Sequence, residues 1–180
     1  WLMIHVSIIV ASYGFLIMGG FLGLLCLFLI IFNTKNREII NDKIKELTII
    51  NEKSLTIGLF MLSIGTFLGG IWANESWGRY WGWDAKETWA LVSILVYAII
   101  LHFRFIPGLK SKFVFNFASI IAVFSVLMTY FGVNYLLSGL HSYAAADEKV
   151  TIPDYIYITF VSILIIGLIA GIKNKRRALS

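Results

Sequence analysis

The sequence predicts an all-α integral membrane protein: about five transmembrane helices, an external Trp-rich segment and a cytoplasmic-side amphipathic helix. Three observations carry this expectation. Hydrophobic residues make up 59% of the chain and the mean hydropathy is +0.84, more apolar surface than a water-soluble domain can hide. The apolar residues fall into five runs separated by polar connections. Twelve of the fifteen Lys and Arg gather in alternate connections, as expected where those connections face the cytoplasm.

The first span runs over Val6 to Phe32, almost uncharged, with Gly14, Gly19, Gly20 and Gly23 offering close approach to a neighbouring helix. Asn33 to Lys53 is polar and carries Lys35, Arg37, Lys43, Lys45 and Lys53. Ile39, Ile40, Ile44 and Leu47 recur there at helical spacing, which predicts a short amphipathic helix lying on the membrane surface. Ser54 to Trp72 is the second span, and Thr88 to Phe105 the third. Pro107-Gly108, flanked by Arg104, Lys110 and Lys112, predicts a tight turn after it. Phe113 to Leu137 is the fourth span, Ser138 to Asp154 a loop, and Tyr155 to Ile172 the fifth span. Lys173, Lys175, Arg176 and Arg177 close the chain. Residues 1–180 read as a single transmembrane domain. Because the chain opens at Trp1, we expect it to be the later part of a longer polypeptide or one subunit of a complex.

The basic connections lie after spans one and three and in the tail. Positive-inside therefore places the N-terminus and the Trp-rich segment outside and the C-terminus in the cytoplasm. The net charge of +5 is explained by this asymmetry and does not call for nucleic acid. The lone Cys26, in an apolar run, reads as a small core filler, since no second thiol exists to pair with it.

Residues 72–89 concentrate the chemistry. Trp77, Trp81 and Trp83 stand beside Arg79, Asp84 and Lys86, a combination badly suited to lipid. Two readings apply: an interfacial aromatic belt, or a shelf for a flat, anionic ligand. The charges favour the shelf. Arg79 and Lys86 would meet the anionic groups; alternatively they reach to headgroups, or Lys86 pairs with Asp84 or Glu87.

The three histidines sort by topology. His5 precedes span one and His141 follows span four, so both fall on the external side with the Trp-rich segment. Two imidazoles beside an aromatic shelf suit opposite axial positions on a haem iron, while either alone also suits an interfacial residue with a water or backbone partner. His102 lies fourteen residues after Thr88, ~21 Å along a helix at ~1.5 Å per residue. That depth is near the cytoplasmic leaflet yet within the membrane, where an ionisable side chain suggests function; the alternative is a His reaching the inner headgroups beside Arg104. No Ser-His-Asp set, phosphate loop or zinc spacing is evident, and no general base is assigned.

The run Trp77-Gly78, Trp81, Trp83-Asp84, continuing through Lys86-Glu87-Thr88-Trp89-Ala90-Leu91 to His102, resembles the "WWD" segment of haem-handling membrane proteins. It is most similar to the CcsA/ResC type of cytochrome c biogenesis protein, including the CcsA half of fused CcsBA proteins. The placement of His5 and His141 on either side agrees, so the resemblance covers nearly the whole chain. It implies a system II cytochrome c synthase of the inner (plasma) membrane. Such a synthase takes haem b from the cytoplasmic side and presents it externally. It joins the haem vinyl groups to the Cys-x-x-Cys-His thiols of an apocytochrome c, and so counts as an enzyme, a haem lyase.

Carried over by resemblance, His5 and His141 are the external axial ligands, Trp77 to Asp84 cradle the haem edge, and His102 is one of two intramembrane ligands. The family pattern has four such histidines and this chain three. The resemblance therefore implies a CcsB-like subunit or N-terminal half as partner, supplying the second intramembrane ligand, with apocytochrome c as the other partner and membrane lipid as surroundings. Two competing functions stay open: a haem exporter without synthase activity, and a haem-binding electron-transfer subunit.

Overall fold

The computed structural model describes residues 1–32, 37–137 and 152–179. Among these, all regular structure is helical: α1 (Leu2–Phe32), α2 (Arg37–Trp77), α3 (Ala85–Leu101), α4 (Lys112–Leu127), α5 (Val133–Leu136) and α6 (Asp154–Leu179). A 3-10 turn at Phe103–Phe105 follows α3, and a π turn at Met128–Gly132 joins α4 to α5. Taking α4, the π turn and α5 as one span, five helical segments are long and apolar enough to cross a bilayer, as the sequence predicts.

Two elements differ from expectation. The first helix begins at Leu2, not Val6, because the His5 amide already closes a helical turn on the Trp1 carbonyl at 3.0 Å. His5 is thus part of the first span. Residues 37–53 of the amphipathic stretch are not a separate surface helix either: they open α2, one unbroken helix of 41 residues. No Gly or Pro interrupts residues 37–57, and Ile40, Ile44 and Leu47 pack against Cys26, Leu27 and Ile30 of α1. Tertiary burial of that apolar face therefore draws it onto the bundle.

The core has two centres. Tyr13, Leu16, Leu55, Leu62, Tyr97, Ala122 and Val126 fill the middle of α1–α4, and Cys26, Leu27, Ile30, Ile44, Ile120 and Ala170 fill the end where α1 stops. Between them lies a buried polar knot. The Asn51 amide of α2 donates to Asn116 Oδ1 (2.9 Å) and Ser119 Oγ (3.0 Å) of α4, and Asn116 donates to Thr48 Oγ1 (2.8 Å). Gly23 of α1 permits this: a Cβ there would come within 2.5 Å of the Asn116 carbonyl and the Ser119 hydroxyl. Away from water and aqueous competition, such bonds fix the register of neighbouring helices.

The turn at Pro107-Gly108 forms as expected. Ile106 is extended ahead of the proline and Gly108 has φ +86°, a conformation natural to glycine. α6 is the least enclosed helix, tied to α1 where Lys173 Nζ donates to the Ile31 carbonyl at 2.5 Å.

Candidate functional site

Where α1 begins, α2 ends, α3 begins and α5 ends, the helices splay around a cavity of about 480 Å³. That is within the range of roughly 300–1,000 Å³ usual for small-molecule sites. α1 contributes His5, Ile9 and Tyr13; α2 contributes Trp72 and Trp77; Trp81 closes one side, and Lys86, Tyr130 and Asn134 add polar groups.

His5 is 6% exposed. Its ring stacks on Trp72, centroids 5.5 Å apart and planes 15° apart, and Trp72 meets Trp77 edge-on at 4.7 Å. Gly69, one turn before Trp72, leaves the space the imidazole fills: a Cβ there would sit 3.0 Å from His5 Nδ1. A small residue and an indole from α2 thus set the plane of a buried imidazole from α1.

The Trp-rich segment is a short non-helical link. α2 ends at Trp77 and the chain turns through Gly78 at φ +71°. Trp83 holds φ +57°, uncommon for a bulky side chain and mildly strained. Asp84 then caps α3 in a capping box: its carboxylate accepts from the start of α3, including the Lys86 amide at 3.3 Å, while Glu87 Oε2 accepts from the Asp84 amide (3.2 Å) and the Gly82 amide (2.8 Å). Arg79 folds over the same link, its guanidinium 5.7 Å from the Trp77 ring centroid and 3.9 Å from Glu87 Oε1. Its guanidinium lies against Gly82, in the space a side chain at residue 82 would enter.

The predicted residues therefore separate. His5, Trp77, Trp81 and Lys86 line the cavity. Trp83, 70% exposed, stands outside it, edge-on to Trp81 at 5.8 Å. Asp84 and Arg79 build the link and are not among its lining residues. The Lys86 ammonium donates to Asn134 Oδ1 at 2.8 Å, with the Asp84 carboxylate as its electrostatic neighbour. His141 lies outside the described residues. Trp72, Tyr130 and Asn134 are lining residues that sequence reasoning did not single out. Trp72 follows Gly69-Gly70, a signal of close approach, but at the end of a span it reads as belt.

His102 stands at the other end of α3, ~25 Å from Ala85 at ~1.5 Å per residue. It is exposed on the bundle surface. Its Nδ1 lies 2.7 Å from the Ala98 carbonyl. A carbonyl only accepts, so Nδ1 carries the proton and, in the neutral ring, Nε2 keeps a lone pair facing away from its own helix turn.

The chain matches the cytochrome C assembly protein family over residues 1–141, a region that takes in the cavity, the Trp-rich segment and all three histidines. It is 54% identical over 147 residues to protein NrfI of Wolinella succinogenes, covering 82% of this chain and 16% of NrfI. It is 41% identical over 148 residues to the cytochrome c biogenesis protein CcsA of Chlamydomonas reinhardtii, covering 79% of this chain and 40% of that protein. For CcsA of Prochlorococcus marinus the identity is 37% over 170 residues, covering 79% and 54%. The chain thus spans about half or less of the length of these relatives. By the extent of the family match and the helices that carry it, the chain belongs to the cytochrome c assembly family, as a multi-pass membrane protein of the CcsA type.

Proposed function

We propose that this protein delivers haem b across the membrane to the cavity at the α1 start and presents it there for covalent attachment to an apocytochrome c, acting with a CcsB-like partner. The observation that carries the reading is His5: an imidazole buried in a ligand-sized cavity, its plane set by Trp72 and Gly69, with further indoles on the walls. A flat apolar macrocycle fits such walls, and a neutral imidazole fits its iron.

In this reading haem is the substrate, and it supplies the vinyl groups. His5 holds the iron from one side and His141 from the other. Trp72, Trp77 and Trp81 exclude water from the faces of the ring, and Lys86, on the cavity wall, is the cation available to its carboxylates, while Arg79 lies over the link beside Glu87. Attachment adds each apocytochrome thiol across a vinyl group: S–C and C–H bonds form, the S–H bond and the vinyl π bond are lost, and no net oxidation occurs. The protein's share is orientation and proximity. The His of the incoming Cys-x-x-Cys-His motif takes over one axial position as the product leaves.

Positive-inside supports placing the cavity on the external face of the inner membrane and His102 toward the cytoplasm. His102, exposed on the bundle surface at the other end of α3, is then the entry ligand, paired with a histidine of the partner.

The test is the absorption spectrum of purified protein with His5→Ala and His141→Ala. Each substitution is expected to lower bound haem and the yield of a co-expressed Cys-x-x-Cys-His cytochrome, and imidazole in the medium to restore part of both. Unchanged haem without rescue overturns axial ligation. Haem stain surviving denaturation on the co-expressed cytochrome separates a synthase from an exporter or an electron-transfer subunit.

A further inference from the structure

The polar wall of the cavity is built by a register irregularity in the fourth span. At Met128–Gly132 the helix widens to a π turn, with the Val133 amide bonding the Met128 carbonyl five residues back. In an uninterrupted α-helix, residues five apart lie ~140° apart around the axis, at ~100° per residue. A π turn brings residue i+5 nearly over residue i, and such turns are frequent at functional sites. Here the aligned pair is Thr129 and Asn134, and both face α3.

On α3, Lys86, Trp89 and Ser93 follow at spacings of three and four and share a face. Thr129 Oγ1 lies 3.0 Å from Ser93 Oγ, 3.1 Å from the Trp89 carbonyl and 2.7 Å from the Ser125 carbonyl. One turn nearer the cavity mouth, Asn134 Oδ1 accepts from Lys86 Nζ at 2.8 Å. Asn134 is 8% exposed. Both Lys86 and Asn134 line the cavity, whereas Arg79 is folded over Trp77 and Gly82 beside Glu87 and does not.

Building on the proposed ligand, we infer that the π turn makes Asn134 the positioning residue for Lys86, and that Lys86, not Arg79, is the cation that meets a ligand carboxylate inside the cavity. One of the three ammonium N–H donors is held by Asn134. That bond fixes the direction of a long, flexible side chain and leaves the other two donors for an anionic oxygen.

The test compares binding of haem with that of its dimethyl ester, whose carboxylates are masked, to the protein purified in detergent. Wild type is expected to favour the diacid by about tenfold or more, as for a hydrogen bond to a charged group. Lys86→Met is expected to abolish that preference with ester binding retained, which also shows that the cavity is folded. Lys86→Arg keeps much of it. Asn134→Leu reduces the preference several-fold, and Arg79→Gln leaves it in place. Preference kept in Lys86→Met and lost in Arg79→Gln overturns the assignment to Lys86. Preference undiminished in Asn134→Leu overturns the positioning role. Wild type that binds neither compound overturns the underlying haem reading instead.

Discussion

The imidazole of His5 and the indole of Trp72 lie almost parallel, 5.5 Å apart between centroids, although they stand 67 residues apart in sequence on α1 and α2. The stack decides which way a buried ring from one helix can face, so Trp72 acts on anything His5 binds. An aromatic pair contributes ~0.5–1.5 kcal/mol beyond its buried area. Trp72→Leu is therefore expected to weaken haem retention by roughly three- to tenfold. Titration of purified protein with haem, followed by absorbance, checks it; retention equal to wild type would show that the stack does not orient the ligand.

Gly69 offers a test in which stability and binding part company. Alanine is favoured over glycine within a helix by ~1 kcal/mol, yet its Cβ would meet His5 Nδ1 at 3.0 Å. Gly69→Ala is expected to leave the unfolding temperature in detergent close to wild type while haem content falls several-fold. A parallel loss of both would mark Gly69 as a packing residue alone.

Asp84 reads from its geometry as a helix cap. Replacing such a cap by alanine costs ~1 kcal/mol, whereas asparagine and serine cap about as well. We expect Asp84→Ala to lower holocytochrome yield and Asp84→Asn or Asp84→Ser to restore most of it. If Asn fails where Glu succeeds, the negative charge, and not the cap, is what the site requires.

The Asn51 knot tests the scaffold apart from the site. Side-chain hydrogen bonds between membrane helices contribute ~0.6 kcal/mol on average and up to ~1.7. Asn51→Leu removes two donated bonds and is expected to cost ~1–3 kcal/mol. Asn116→Leu added to it should cost less than the sum of the two single changes. A double-mutant cycle on detergent unfolding that comes out additive would show that the bonds do not act together.

His102 and the His5 cavity stand at opposite ends of α3. His102→Ala is expected to leave the spectrum of haem added to the purified protein unchanged, while lowering haem loading in cells. A shifted spectrum in the purified protein would place His102 in the same site as His5.

Hydropathy and charge were enough to find the five spans and the turn at Pro107-Gly108, because a bilayer imposes a length and an apolarity that a one-dimensional string displays. The Trp-rich motif was equally visible, since its composition contradicts the spans around it. What the string could not display was partnership. Its pattern of Ile40, Ile44 and Leu47 was compatible with a headgroup surface or with α1, and only burial against Cys26 and Leu27 chose between them. Lys86 had two carboxylates as near neighbours in sequence, but its ammonium bonds Asn134, 48 residues away, because a π turn rotates that amide toward α3. Local composition tells where a chain can live; which side chains meet depends on how helices cross, and crossing is settled by contacts far apart along the chain.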